Sequence, residues 1–268
     1  MTGSSILMHA HLPAGVVVTS VAVLILAGLV GAFLNTVASS GSAVTLPILI
    51  ALGVEPVVAN ASNRVPIVIG CATAAWRFHR AGHLPWRDGI RFAIPAVLGA
   101  ILGSLVASMV GDGNTTALVT FAVVFAFILL CANPGRWLAA DHSDQPPNRG
   151  PLVMLLIGAV GVWAGLIAVD SATFALAALI LVGHYAIREA NGIKVMALGA
   201  AALVSVLVFW SRGEIDWAVA AWLGVGSIAG ALLGARLALG PHAAKWVFRL
   251  LLSVLVIEVV RLGFTLTS

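Results

Sequence analysis

The sequence predicts an all-α integral membrane protein made of two inverted-topology repeats of about five helical segments each, with one short or broken segment per repeat. Three observations carry this prediction. Apolar residues make up 61% of the 268 residues and charged residues only 9%, whereas soluble domains have roughly 45–50% and about 25%. Many apolar runs are long enough to cross a bilayer as helices. The two halves of the chain also resemble each other at an offset of 130–131 residues.

The composition excludes several classes of protein. With 14 Lys+Arg and 10 Asp+Glu and a mean hydropathy of +1.09, the chain has too few charges to cover a water-soluble surface. A soluble enzyme, a nucleic-acid-binding domain and a disordered chain are therefore excluded, and membrane lipid is the expected surrounding. The net charge of +4 fits the basic cytoplasmic loops of membrane proteins. Cys71 and Cys131 both lie in apolar runs, so no disulfide framework is predicted.

The apolar runs predict the helical segments. A membrane-crossing helix needs about 20 apolar residues. Two runs are shorter, at 43–53 and 172–184, and each is expected to be a tilted span, half of a re-entrant hairpin or a broken helix. The long runs lie at about 15–38, 57–76, 90–110, 115–131, 151–169, 190–210, 216–238 and 243–265.

A polar stretch divides the chain near its midpoint. Residues 133–150 include two aspartates and three prolines and predict a cytoplasmic linker between the repeats. The predicted organisation is an N-terminal tail at 1–14, a first transmembrane repeat at 15–132, the linker at 133–150 and a second transmembrane repeat at 151–268.

The repeat depends on an ordered set of matched residues. Because each half has an odd number of crossings, the two halves are expected to have opposite orientations in the membrane. The matched pairs are Gly28 with Gly158, Gly31 with Gly161, Gly53 with Gly183, Asn60 with Asn191, Gly82 with Gly213, Trp86 with Trp217, Gly99 with Gly230 and Gly103 with Gly234.

The loop charges support this orientation. The loop at 76–91 carries four arginines, while its counterpart at 211–217 carries one arginine beside two acidic residues. Since basic loops stay in the cytoplasm, the first loop is predicted inside and the second outside. Both termini then lie on the non-cytoplasmic side.

Inverted repeats with short, interrupted segments at corresponding places are typical of secondary transporters, whose substrates bind near the membrane midplane. The alternative is a membrane scaffold whose duplication has no mechanistic meaning.

The first interruption concentrates polar side chains. Gly41 is expected to allow a tight turn, and Ser40 or Ser42 could cap the following helix. Backbone N–H groups at such a helix start can bind an anion. Alternatively, the small residues merely let helices approach closely. The candidate ligands here are Asn35, Ser39, Ser40, Gly41, Ser42 and Thr45.

The second interruption contains Asp170, Ser171 and Thr173. A carboxylate at the edge of an apolar run is costly unless it is paired, protonated or hydrated. Asp170 could carry a coupling proton, hold a basic partner, or cap the helix that starts at Ser171. Ser171 and Thr173 are candidate substrate ligands.

Two further clusters place amides beside basic residues at the start of a span. Asn60, Asn63 and Arg64 form the first cluster, and Asn191 and Lys194 form the second. Arginine donates bidentately to oxyanions and lysine acts as a point charge, so the pair suits a bound anion. The alternative is that both basic side chains extend to the membrane interface.

These features together resemble the TauE/SafE family of sulfite-exporter-like permeases, over residues of about 15–265. The resemblance depends on Gly28-x-x-Gly31, Pro47, Gly53-x-x-Pro56, the run 59–64 and a second copy at 189–194. The family's turn is usually richer in glycine than Ser-Ser-Gly-Ser here, and Asp170-Ser171 stands where the second glycine run would be. The resemblance implies movement of small sulfur-containing anions, such as sulfite or organosulfonates, across the bacterial inner membrane, in a direction that it does not fix.

The prediction is therefore a secondary transporter, not an enzyme, that moves a small anion by alternating access. A proton or a cation is the candidate coupling ion, and Asp170 is predicted either to carry it or to tune the local charge. No P-loop run is present, and neither a cofactor nor a resident metal is expected. A passive anion channel and a transporter of a carboxylate or metal remain alternatives. An intramembrane serine hydrolase at Ser39–Ser42 is disfavoured, because a serine nucleophile needs a nearby base and no histidine lies well inside a long span.

Overall fold

A computed structural model describes residues 14–37, 41–107, 128, 145–253 and 256. The predicted span at 115–131, most of the linker and the candidate ligands Ser39 and Ser40 lie outside the described residues. The division into repeats at 15–132 and 151–268 stays a prediction. Within the described part the chain is helical and has no strand, which confirms the all-α class.

Nine α-helices and one π-helical segment are bounded within the described residues. They are α1 (Ala14–Val37), α2 (Gly41–Ala51), α3 (Pro56–Ser62), α4 (Arg64–Arg80), α5 (Trp86–Ala107), α6 (Pro151–Leu166), α7 (Ser171–Ala177), the π-helical segment (Ala178–Val182), α8 (Ile187–Ser211) and α9 (Trp217–Ala238). Residues 243–253 are also helical.

Four of the described helices are long and apolar enough to cross a membrane: Ser20–Val37 within α1, and the whole of α5, α8 and α9. They agree with the runs predicted at 15–38, 90–110, 190–210 and 216–238. Large apolar side chains remain exposed on these helices, as Leu98 and Leu102 do on α5. In a membrane those side chains face lipid, where apolar surface can remain exposed.

The predicted span at 57–76 is wrong as a single helix, because the chain breaks at Asn63 into α3 and α4. Pro66 accounts for the hydrogen bond that is missing at this break, although Pro47 and Pro95 lie inside the continuous helices α2 and α5. Proline has no N–H to donate to the carbonyl four residues earlier, and its ring clashes with that carbonyl. The affected carbonyl belongs to Ser62, where α3 ends.

Both short runs form short helical segments, as predicted. α2 has 11 residues and rises only about 16 Å. α7 continues directly into the π-helical segment. Each segment is followed by a residue with positive φ, Gly53 at 86° and His184 at 57°, so the chain turns sharply after both.

The helices pack in pairs through glycine faces. α1 packs against α9, and α5 packs against α6. A Cβ atom at Gly103 would lie 1.9 Å from the carbonyl oxygen of Val162, and one at Gly226 would lie 1.9 Å from that of Ile25. The backbones of the paired helices are therefore in direct contact, which only glycine permits.

A bidentate ion pair fixes the chain that leads into α6. Arg149 donates from Nε to Asp88 Oδ1 at 2.6 Å and from Nη2 to Asp88 Oδ2 at 2.9 Å. Asp88 is buried near the start of α5, and its carboxylate raises the pKa of Arg149 above the ordinary range. Asn148 donates its backbone N–H to the carbonyl of Gly183 at 2.8 Å. The end of the linker is thus attached to α5 and to the second short segment.

Glu214, in the turn between α8 and α9, makes stability depend on pH. Burial raises the pKa of its carboxyl group, so the folded state binds this proton more tightly than the unfolded state does. Ionisation of Glu214 therefore lowers the free energy of unfolding once the pH rises above the pKa of the unfolded state, about 4.3. The full loss is reached above the pKa of the folded state. Glu214→Gln is expected to raise Tm slightly at about pH 7 and not at about pH 4. Thermal unfolding at both pH values tests this, and an equal gain at both would contradict it.

Candidate functional site

A small cavity lies between α1, α2 and the junction of α3 with α4. Among the described residues, its lining is formed by small, hydroxyl and amide side chains together with one proline and one isoleucine, and none of these residues is charged. The lining residues are Gly28, Gly31, Ala32, Asn35, Thr36, Gly41, Ser42, Thr45, Asn63, Pro66, Ile67 and Gly70.

Close contact between α1 and α2 forms one wall of the cavity. A Cβ atom at Gly41 would lie 2.0 Å from the carbonyl oxygen of Gly31. Gly41 is helical and does not have a positive φ, so the interpretation of this glycine as a tight turn is wrong. It is needed because a side chain would collide with the backbone of α1.

Asn63 joins the polar groups of the cavity. Its Nδ2 donates to Ser42 Oγ at 3.1 Å, and its Oδ1 accepts from Thr45 Oγ1 at 2.9 Å. The side chain is buried at the break between α3 and α4. Since Ser42 accepts from Asn63, its own hydroxyl hydrogen stays available for another acceptor. The cavity thus contains a hydrogen-bond donor held in place by two helices.

Asn60 and Arg64 reach across to the end of α6. Arg64 donates from Nη1 to the carbonyl of Ala164 and from Nη2 to that of Gly165 at 3.2 Å. Asn60 donates to the carbonyl of Leu166 at 3.3 Å and accepts from Arg64 Nη2 at 3.0 Å. The last carbonyls of a helix have no partner within the helix, and these two side chains supply one.

Lys194 and Asn191 hold the end of α1 in the same way. Lys194 Nζ donates to the carbonyls of Asn35 at 3.1 Å and Thr36 at 2.9 Å. Its third bond goes to Asn191 Oδ1 at 2.8 Å. An ammonium group has three N–H donors, and all three are used here.

The burial of the two basic side chains decides one alternative. Arg64 and Lys194 are each 1% exposed, so neither extends to the membrane interface, and that interpretation is wrong. Contact of either side chain with an anion stays a prediction. In this conformation their bonded donors point to helix-end carbonyls and to asparagine oxygens.

In the second interruption, Asp170 is fully buried and adopts a left-handed φ of 55° at the start of α7. Its side chain makes no capping hydrogen bond, so the capping alternative is not supported. Ser171 Oγ donates to the carbonyl of Ala168 at 3.0 Å. Thr173 Oγ1 is buried and has no hydrogen-bond partner among the described residues.

The structure therefore brings together only some of the predicted ligands. Asn35, Gly41, Ser42, Thr45 and Asn63 line one cavity. Asn60, Arg64, Asn191 and Lys194 act at helix ends, and Ser171 and Thr173 lie on α7 outside the lining.

Two interior contacts were not predicted. Ser104 on α5 lies 2.8 Å from Ser205 on α8, and the guanidinium of Arg64 lies 5.7 Å from the centre of the Phe209 ring. Both join residues more than 100 positions apart, and no local pattern in the sequence indicates them.

Comparison with known proteins identifies the family. The family model described as sulfite exporter TauE/SafE matches residues 24–259. The chain belongs to the TauE/SafE family. No solved structure matches it significantly.

Several curated relatives of this TauE/SafE chain are described as a "probable membrane transporter protein". That of Sinorhizobium sp is 23% identical over 90% of this chain and 91% of its own length. That of Xylella fastidiosa strain 9a5c is 28% identical over 87% and 90%. That of Haemophilus influenzae is 26% identical over 81% and 84%. The chain is thus a membrane transporter of the TauE/SafE family and not an enzyme, as predicted.

Proposed function

We propose that this TauE/SafE protein is a secondary transporter of a small anion, a sulfur oxyanion or an organosulfonate, in the bacterial inner membrane. The observation that carries the proposal is the cavity at Asn63, whose described lining residues include hydroxyl and amide groups and no carboxylate. Sulfite and sulfonate oxygens are acceptors, so they need donors such as the Ser42 hydroxyl and the amide of Asn35.

The buried charges favour an anion over a metal cation. The buried charged side chains among the described residues are Arg64, Lys194, Asp88 and Asp170, and Asp88 is paired with Arg149. Besides this pair, the interior of the described part contains two basic groups and one acidic group. Lys194 is bound to the carbonyls of Asn35 and Thr36, which line the cavity, so its charge lies close to the substrate.

The helix contacts support the repeat on which the proposed alternating access depends, and the loop charges favour its inversion. The sequence repeat matches α1 with α6 and α9 with α5. The packing of α1 on α9 therefore corresponds to the packing of α6 on α5. Rocking of one repeat against the other would open the site to either side in turn. In this scheme both termini face away from the cytoplasm and Asp170 carries the coupling proton or cation.

A binding and transport experiment tests the proposal. Purified protein is tested by thermal shift with sulfite, sulfate, thiosulfate, several sulfonates, carboxylates, phosphate and divalent metal ions, and then in proteoliposomes. We expect stabilisation that is selective for sulfur anions, weakened in Ser42→Ala, together with counterflow exchange of the same anion. Stabilisation by carboxylates or divalent metals alone would overturn the assignment of a sulfur anion as substrate. Conductance without counterflow would favour a passive anion channel.

A further inference from the structure

The two buried basic side chains act on opposite halves of the chain. Lys194, from the second half, holds the end of α1, and Arg64, from the first half, holds the end of α6. Each is accompanied by an asparagine whose side-chain oxygen it also contacts, Asn191 and Asn60. The arrangement is reciprocal, since each half supplies the group that the other half needs.

Helix-end electrostatics explain why basic residues occupy these positions. Carbonyls in the last turn of a helix lack intrahelical partners and carry partial negative charge. In a membrane interior no water is available to bind them. An ammonium or guanidinium group provides several donors and a compensating charge at once.

Both held ends lie directly before a short segment. α1 ends at Val37 and α2 is described from Gly41, while α6 ends at Leu166 and α7 begins at Ser171. Asn35 and Thr36, whose carbonyls bind Lys194, also line the cavity. The wall of the first-half cavity is therefore fixed by a residue of the second half.

We infer that Arg64 and Lys194 are reciprocal positioning residues, each holding the interrupted helix of the opposite half, so that the geometry of each half's polar segment depends on the other half. The inference deepens the proposed function, because it takes the cavity as the substrate site. It assigns the two basic residues a role other than direct anion contact.

Cysteine accessibility tests the inference without a substrate. In a background with Cys71 and Cys131 replaced by alanine, single cysteines are introduced at Ser42 and at Ser171. Each is modified with a negatively charged methanethiosulfonate reagent. We expect Lys194→Met to increase the modification rate at position 42 at least fivefold and to leave position 171 nearly unchanged. Arg64→Met is expected to give the opposite pattern.

Matched variants separate positioning from general damage. Arg188→Met is the control, because Arg188 also donates to a backbone carbonyl, that of Gly240 at 3.0 Å, which follows α9 and belongs to neither α1 nor α6. It should change neither rate. Lys194→Arg and Arg64→Lys keep the donors and the charge, so their modification rates should be close to those of the protein without a substitution at Lys194 or Arg64. If a methionine variant does not fold, Lys194→Gln and Arg64→Gln take its place in the same comparison.

Transport kinetics separate a positioning role of Lys194 from direct contact with the anion. For a positioning residue, Lys194→Met lowers the maximal transport rate of sulfite and increases access at position 42. A raised half-saturation concentration with unchanged access would make Lys194 a direct ligand and overturn the inference. If the wild-type protein moves no sulfur anion, the proposed function is refuted. The positioning role is tested independently by the modification rates at positions 42 and 171, which require no substrate.

Discussion

Replacing Gly161 by alanine is expected to lower the free energy of unfolding by about 3 kcal/mol, the upper part of the usual range for overpacking. A Cβ atom at this position would lie 2.2 Å from the carbonyl oxygen of Ala96 and 2.8 Å from its Cα. Both atoms belong to the backbone of α5, which cannot move aside as a flexible side chain would. α6 and α5 must therefore separate to accept a single methyl group.

Gly158 provides a matched control on the same helix. A Cβ atom there would meet Pro95 Cβ at 3.6 Å and its carbonyl oxygen at 3.7 Å, which is ordinary contact. Gly158→Ala is expected to be neutral or slightly stabilising, because alanine favours a helix by about 1 kcal/mol over glycine. Thermal unfolding of both variants in the same detergent measures the difference. Equal Tm values would show that α5 and α6 are not in backbone contact at Gly161.

These glycines show what could be predicted from the sequence. The match of Gly28 and Gly31 with Gly158 and Gly161 was evident from spacing alone, and so were the long apolar runs. Whether a glycine serves a turn or a close approach depends on which backbone lies opposite, and only the folded chain shows that. The sequence alone therefore predicts a turn at Gly41, where the folded chain has a close approach to α1.

Pro66 marks the place of the break at Asn63, but a proline alone does not predict a break, because Pro47 and Pro95 lie inside the continuous helices α2 and α5. Pro66 stands inside the apolar run 57–76, and a proline removes the hydrogen bond to the carbonyl four residues earlier. Hydropathy does not register this loss, since Pro66 does not interrupt the apolar character of the run.

The candidate site was predictable in its residue types and less so in its contacts. Polar residues that are costly in a membrane pointed to Asn63, Arg64 and Lys194 without any structure. The backbone partners of Arg64 and Lys194 are carbonyls 100 to 159 positions away. Every residue has such a carbonyl, so no sequence pattern distinguishes the ones that are used.

Asn63→Asp is expected to weaken binding of a sulfur anion about a hundredfold. Aspartate has the shape of asparagine, and Thr45 can still donate to it as it does to Asn63 Oδ1 at 2.9 Å. The Ser42 hydroxyl, which now accepts from Asn63, can turn to donate instead. The fold is therefore retained while a negative charge enters the cavity. Two like charges about 5 Å apart repel by about 3 kcal/mol at an effective dielectric constant of 20.

The neutral variant Asn63→Ala separates charge from lost hydrogen bonds. It removes both bonds within the protein without adding a charge, so the Ser42 hydroxyl loses the contact that positions it. Binding is then expected to weaken about tenfold, which corresponds to the loss of one hydrogen bond to the anion of about 1.4 kcal/mol. Isothermal titration with sulfite and with a short alkanesulfonate gives both affinities. If the cavity binds a cation, Asn63→Asp should tighten binding of that cation and leave the anions unaffected. An anion held at Asn63 therefore requires a specific order of affinities, in which the wild type binds most tightly, Asn63→Ala binds less tightly and Asn63→Asp binds most weakly.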